Sequence, residues 1–385
     1  MRSVFLPFAP PTISQEEITE VIDTLSSDWI TTGPKVKKFE EMFAQYIGSE
    51  TALALNSCTA GLHLALIALG IGPGDEVITT PMTFCSTVNV IEQVGAHPVL
   101  VDVQPDTLNI SPELIEKAVT EKTKCILPVH YAGHPCEMDT IKEIARTKNL
   151  YIVEDAAHAF SARYKGQKVG TIGDLTAFSF YVTKNITTAE GGMLTGNPEF
   201  IEKARIYSLH GMSKDAFKRY DSGSSWYYEV IYPGFKYNMT DIHASIGLRQ
   251  LQKIEAFQNR RRQIVQEYDE AFSKYPYFEI PCWLPNIEHA WHLYVLRLNL
   301  ETLRIDRDQF IEELKERNIG TSVHFIPIHL HPYYREKYGY KPEDFPVAYS
   351  NFKRIISLPI YPRMSDQDIA DVIEAVVDVA EKYRR

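Results

Sequence analysis

The sequence predicts an α/β protein: a large domain on a mostly parallel sheet with crossover helices, then a small C-terminal α+β domain. Three observations predict it. Between Ala52 and Thr195, short runs rich in β-branched and aromatic residues alternate with amphipathic stretches at helical spacing, the pattern of parallel strands joined by helices. Several of the short runs are almost wholly apolar, as in Ile126-Leu127-Pro128-Val129 and Tyr151-Ile152-Val153, which suits strands covered on both faces. After Asp241 one long helical stretch gives way to mixed short elements, and 385 residues exceed the usual size of a single core.

The elements follow in order. Ser14-Gln15-Glu16-Glu17 reads as an N-cap with acidic first-turn residues, and Ile18, Val21, Ile22 and Leu25 recur at helical spacing behind it. Strands are expected at 52–55, 76–79, 98–103, 125–129, 151–154, 175–181 and 192–194, with ligands gathering at their carboxyl ends. Residues 210–238 have no clear period and read as a long loop, with Trp226, Tyr227 and Tyr228 in it. From 241 to 272 the spacing of Ile242, Ile246, Leu248, Leu251, Ile254, Phe257, Ile264, Val265 and Tyr268 predicts one long helix or two joined ones. The tail reads as a strand at 292–298, a helix at 307–316, a strand at 320–325 and a helix at 365–383. The expected division is 16–241 for the large domain and 242–385 for the small one.

Composition narrows the function. A formal net charge of -10 argues against a nucleic-acid or anionic-membrane surface, since either needs a basic face. Cys58, Cys85, Cys125, Cys136 and Cys282 are odd in number and lack Cys-x-x-Cys pairing, which fits neither a disulfide framework nor a zinc site and points to a reducing cytoplasm. The first fourteen residues hold three prolines and no continuous apolar run, so no secretion signal is expected. No later run is long enough to span a bilayer.

Three strand-end segments carry chemistry. Asn56-Ser57-Cys58-Thr59-Ala60-Gly61 is a small-residue turn entering a helix, where backbone N–H groups, the Thr59 hydroxyl and the helix dipole favour an anion; it also reads as an ordinary N-cap. Val153-Glu154-Asp155-Ala156-Ala157-His158 ends an apolar strand in a carboxylate. Such an Asp can hold a pyridine nitrogen protonated, or simply cap a helix beside a core histidine. Phe178 to Gly192 places Lys184 just past a strand, where burial would lower its pKa and free the amine for covalent work, although a lysine in that position is more often solvated.

The strings WITTGPKVKKFEE, NSCTAGLHLAL, GDEVITTPMTF, VEDAAHA and AFSFYVTKNITTAEGG resemble, in order and spacing, the DegT/DnrJ/EryC1/StrS family of sugar aminotransferases. That resemblance implies the aspartate-aminotransferase-type fold and pyridoxal 5'-phosphate as cofactor. By position it makes Lys184 the lysine that carries the cofactor, Asp155 the partner of its ring nitrogen and His158 the residue beside its phenolic oxygen. Thr59, Ala60 and Ser179 match the phosphate contacts, Phe84 the ring stacked on the pyridine, and Asn238 an asparagine that reaches the phosphate from a partner subunit. It further implies a homodimer with shared sites, glutamate as donor with 2-oxoglutarate as product, and a nucleotide-linked keto sugar as acceptor.

Within the family, PVHYAG, PGFKYN, HAWHLY and GTSVHF look like the UDP-4-amino-4-deoxy-L-arabinose:oxoglutarate aminotransferases of surface-polysaccharide synthesis, although Phe84 stands where that group tends to have Trp. His324 and His329, in VHFIPIHLHPYY, resemble a substrate-side stretch, and Trp226 and Tyr227 are further substrate candidates. His130 and His210 are weaker ones. A 3-aminotransferase or another lyase on the same fold, and a non-catalytic regulator, stand as the alternatives.

Overall fold

A computed structural model describes residues 2–213, 227–282 and 284–385. Helix α1 (Gln15–Leu25) begins in a capping box: the Ser14 hydroxyl accepts the Glu16 N–H at 3.4 Å, and Glu17 accepts the Ser14 N–H at 2.8 Å. Helix α2 (Pro34–Ile47) starts on Pro34 and stops at Gly48, whose φ of 88° only glycine adopts freely. Strands and helices then alternate as β1 (Ala52–Leu55), α3 (Cys58–Ala68), β2 (Glu76–Thr79), α4 (Cys85–Gln93), β3 (His97–Leu100), α5 (Pro112–Ala118), β4 (Thr123–Ile126), α6 (Met138–Lys148) and β5 (Tyr151–Asp155). A small hairpin, β6 (Arg163–Tyr164) and β7 (Gln167–Lys168), precedes β8 (Leu175–Ser179), β9 (Gly192–Gly196) and α7 (Pro198–Ser208).

The main sheet has seven strands in the order β1-β9-β8-β5-β4-β2-β3. Strands β3, β2, β4, β5 and β8 run parallel, while β9 is antiparallel to β8 and β1. Six strands therefore deliver their carboxyl ends to one edge, and β9 begins there. Strands β3, β4 and β8 stop at Leu100, Ile126 and Ser179, short of the ends expected at 103, 129 and 181. Beyond Ile126, Leu127 still donates to the Ile78 carbonyl at 2.8 Å and Val129 bridges Asp155, but the continuous ladder is lost although β5 runs on to Asp155, so an apolar run does not by itself set a strand end. Beneath β8, Phe43 sits edge-on to Phe178 and Phe180 at 5.2 and 5.6 Å. Each fully buried ring contributes about 1.5–3 kcal/mol, and together they fix the strand that ends at Ser179.

Residues 241–272 form one helix, α8 (Asp241–Phe272). Ala244, Leu248, Leu251, Ile254 and Phe257 on it pack with Phe39, Phe43 and Phe180. Farther along, Ile264, Val265, Tyr268 and Phe272 enter a second core with Leu296, Phe310, Ile356 and Val376, which also holds Leu6. The two cores thus divide within α8. The second is completed by β10 (Phe278–Glu279), β12 (Tyr294–Leu298), α9 (Arg307–Glu316), β13 (Ile355–Leu358) and α12 (Asp366–Lys382), with β10-β12-β13 as an antiparallel sheet. Strand β11 (Ile287–Glu288) pairs with β6, and α10 (Pro332–Tyr338) and α11 (Pro346–Phe352) pack in a separate cluster with Val295 and Ile328.

The strand expected at 320–325 does not form. Ser322 exchanges two backbone bonds with Ser357, at 2.8 and 3.1 Å, and His324 Nδ1 then meets the Ser357 hydroxyl at 2.8 Å. One bridge is made, and His324 and Phe325 go to the wall of a cavity instead of a ladder.

Candidate active site

At the end of β1 the chain turns into α3 through Ser57, whose Oγ accepts the Ala60 N–H at 3.1 Å. The first-turn N–H groups of Cys58 and Thr59 are among those that helix geometry leaves without a carbonyl partner. Gly192 lies against this turn: a Cβ there would stand 2.4 Å from the Ser57 carbonyl carbon and 2.5 Å from the Cys58 nitrogen.

Asp155 ends β5, buried. Thr87 Oγ1 donates to its Oδ2 at 2.8 Å and the Ala157 N–H to its Oδ1 at 3.1 Å. Burial raises its pKa, and these two bonds together with the Lys184 charge oppose the rise. One turn on, His158 is buried 4.4 Å from the His292 ring and stacked on Phe325 at 5.6 Å. Burial, then the Lys184 and His324 charges, hold its imidazole neutral, well below the usual range.

After Ser179, whose Oγ accepts the Tyr181 N–H at 3.3 Å, a turn places Lys184, its N–H donating to the Tyr181 carbonyl at 2.9 Å. Burial draws the Lys184 pKa down to about 8, against the opposite pull of Cys58 and Asp155. A substantial share of free amine is thus present near neutrality. His324 is pushed down to about 4 by burial and Lys184.

The sequence did not single out His292. Asn185 Nδ2 donates to the Ala290 carbonyl at 2.7 Å, which turns Asn185 Oδ1 toward His292 Nδ1 at 3.1 Å. Nδ1 therefore carries the hydrogen and Nε2 is left as an acceptor. Burial and the charges of Lys184 and its neighbours keep this ring neutral too.

A cavity of about 530 Å³ brings Thr59, Phe84, Asp155, His158, Ser179, Lys184 and His324 together with His292. Phe84, just ahead of α4, is 59% exposed, with its ring 6.1 Å from Phe325. The other candidates lie elsewhere. Ala60 spends its N–H on Ser57, off the wall. Asn238 pairs with Leu55 by a backbone bridge and donates from Nδ2 to Thr32 Oγ1 at 2.7 Å. His329 is buried 4.8 Å from Phe345, Tyr227 is exposed with its hydroxyl on Glu229 at 2.6 Å, and Trp226 lies outside the described residues. His130 is a core group: Nε2 meets Glu154 at 2.8 Å, both side chains fully buried, while Nδ1 accepts the Cys136 N–H at 3.0 Å. His210 is an exposed loop residue with φ of 59°.

HAWHLY was the one sequence signal that contained His292. Thr87 had none beyond its spacing of four from Thr83, which sets both on one side of a helix start.

A partly uncharged lysine, a buried carboxylate and a helix N-terminus, all at the carboxyl edge of a mostly parallel sheet, define a pyridoxal-phosphate enzyme of the aspartate-aminotransferase architecture. Relatives agree. The profile of the DegT/DnrJ/EryC1/StrS aminotransferase family matches residues 11–377. The chain is 59% identical over 385 residues to the uncharacterized protein MJ1066 of Methanocaldococcus jannaschii, covering 100% of both. It is 53% identical over 380 residues to the spore coat polysaccharide biosynthesis protein SpsC of Bacillus subtilis, covering 98% of each. Spr1654 of Streptococcus pneumoniae, assigned as a sugar aminotransferase and solved in its PMP form, superposes with a TM-score of 0.93 at 40% identity, covering 98% of this chain and 99% of its own; PLP and apo forms of it are also known. The chain belongs to the DegT/DnrJ/EryC1/StrS aminotransferase family and is a pyridoxal-phosphate-dependent aminotransferase.

Proposed function

We propose that this aminotransferase moves the amino group of glutamate to a nucleotide-linked 4-keto sugar, forming a 4-amino sugar nucleotide for surface polysaccharide and releasing 2-oxoglutarate. The observation that carries the chemistry is the common cavity of Lys184 and Asp155, an amine drawn down to about 8 facing a carboxylate at the sheet edge. The sugar reading rests on family membership, and the name of SpsC supports a polysaccharide product.

The side chains present fit the cofactor. Thr59, Ser179 and the start of α3 are suited to its phosphate, Phe84 to one face of its ring, Asp155 to its ring nitrogen and Lys184 to its aldehyde. Pyridoxal phosphate, when bound, supplies an electron-withdrawing ring that lets the donor's α-carbon lose its proton. Lys184 Nζ, as a free amine, takes that proton, and in the second half of a ping-pong cycle gives one to the sugar carbon that gains nitrogen. Asp155 holds the proton on the ring nitrogen. His158, neutral, would stand beside the phenolic oxygen of the bound cofactor, and His292 and His324 would present acceptors to the substrate.

The working unit is a homodimer in which Asn238 reaches the partner's phosphate seat. An apolar face supports self-association: Ile18, Ile22 and Leu25 on α1 are 47%, 56% and 57% exposed. It leads to Asn238 through Trp29, whose Nε1 donates to the Thr32 carbonyl at 2.8 Å, and through the Thr32–Asn238 bond. The enzyme acts in the cytoplasm; free cysteines support this, and no helix among the described residues is long and apolar enough to cross a membrane. Nucleotide-linked 3-keto and 4-keto sugars offered with glutamate, and followed by mass spectrometry, test the proposal. Amination of the 3-keto sugars alone overturns the position assigned.

A further inference from the structure

We propose that Thr87 and Thr83 are positioning residues for Asp155: two hydroxyls in series that aim its carboxylate into the cavity and anchor its charge. Thr83 Oγ1 lies 2.7 Å from Thr87 Oγ1, and Thr87 Oγ1 donates to Asp155 Oδ2 at 2.8 Å. All three side chains are buried, and Thr83 is on the cavity wall.

The direction of the chain is fixed by counting protons. An ionised carboxylate only accepts, and a hydroxyl has one hydrogen to give. The Thr87 hydrogen is committed to Asp155, so the hydrogen between the two threonines belongs to Thr83. Each donated bond polarises the next, which strengthens the last one, onto the carboxylate. Asp155 Oδ1 has a single partner of comparable kind, the Ala157 N–H at 3.1 Å.

Charged or titratable groups facing Asp155 are Lys184 after β8, His130 after β4 and Cys58 at the start of α3. Lys184 is engaged when cofactor binds, and His130 is committed to Glu154. The hydroxyl chain on Oδ2 and the Ala157 N–H on Oδ1 are then the protein's own remaining donors to the buried negative charge, and a hydrogen bond to the charged form favours that form. Were Asp155 to take up a proton itself, it could not hold one on a ring nitrogen as a cation.

The inference rests on Asp155 being the partner of that nitrogen, and the test separates the two. Apo protein is titrated with pyridoxal phosphate from pH 4 to 8, and the visible absorbance of the bound cofactor gives the affinity at each pH. Wild-type affinity should fall in acid as Asp155 protonates. Thr87→Val keeps the shape of the side chain and loses the donor, so the acid limb should move up by about one to two pH units. Thr83→Val should move it the same way by less, and Thr87→Ser should stay on the wild-type curve. Asp155→Asn should lose the Asp155 limb and keep only whatever fall Lys184 protonation imposes on both proteins.

If Asp155→Asn keeps the wild-type limb, the assignment of Asp155 fails and the inference falls with it. If Asp155→Asn loses the limb while Thr87→Val and Thr83→Val retain it at its wild-type pH, the hydroxyl chain alone is overturned. A Thr87→Ser curve displaced as far as that of Thr87→Val also overturns it, since packing rather than the donor would then be responsible. Thr83→Val, which leaves Thr87 in place, keeps the test decisive should Thr87→Val not fold.

Discussion

In the cofactor-free enzyme, Lys184 should stand out chemically among the lysines. Its pKa falls from 10.5 to about 8, about 2.5 units, and below both values each unit is a tenfold change in free amine. At pH 7 roughly 9% of Lys184 is uncharged, against about 0.03% of an ordinary lysine, an excess of about 300-fold. Pulse labelling with a limiting acylating reagent across pH 6 to 11, read by peptide mass spectrometry, gives a titration midpoint for each lysine, with exposed ones as internal standards. The Lys184 midpoint should lie near pH 8. The Asp155 carboxylate raises the Lys184 pKa by favouring the ammonium, so Asp155→Asn should move that midpoint further down. A Lys184 midpoint above pH 10, or an upward move in Asp155→Asn, would refute the claim that burial frees this amine.

Lys184→Ala should abolish turnover yet unfold at nearly the wild-type temperature, because the side chain lines a cavity instead of filling a core; borohydride reduction of the loaded wild type should label the Lys184 peptide and no other. Asp155→Asn should bind cofactor at neutral pH and lose activity on the order of a hundredfold, and near-normal turnover would reduce Asp155 to a helix cap. Glu154→Ala should destabilise the fold by about 3–5 kcal/mol, because His130, the Gly173 N–H and the Thr176 hydroxyl all lose a buried acceptor; urea unfolding with an unchanged slope measures it.

What could be read from the sequence was what local chemistry decides. The Ser14 capping box, the continuous helix of residues 241–272 and the alternation behind the parallel sheet depend on spacing along one segment. Strand ends did not follow: Ser179 ends its strand opposite Gly192, where β9 begins, whereas β4 loses its ladder at Ile126 while β5 runs on to Asp155. The strand expected at 320–325 had the right period: Val323 and Phe325 both pack inward. Beyond Ser357 the carbonyl of Ile355 accepts from Arg307 at 3.2 Å instead of from this segment, and no local pattern reveals a partner taken by a distant side chain.

The site divides in the same way. Lys184, Asp155 and Ser179 sit at strand ends, where the topology itself gathers ligand groups. His292 becomes visible only when Asn185, 107 positions earlier, fixes its tautomer. Thr87 likewise acquires its role from Asp155, 68 positions away.

Asn238 is the residue whose role a single chain cannot decide, and mixing two inactive variants settles it. In its own chain Asn238 lies beside β1 and donates one Nδ2 hydrogen to Thr32, which leaves the second Nδ2 hydrogen to give to an acceptor such as a phosphate. If its function is in the partner's site, a mixed dimer of Lys184→Ala and Asn238→Ala subunits has one site with both defects and one with neither. Random exchange at equal amounts makes half the dimers mixed, so about a quarter of wild-type activity per site should return. If Asn238 serves its own chain's site, every site in every dimer carries one defect and none recovers. Exchange is verified first, by native mass spectrometry of differently tagged subunits, and each variant must be severely impaired alone. With exchange demonstrated and no activity regained, the shared-site reading fails, and the apolar face of α1 would then join subunits without completing their chemistry.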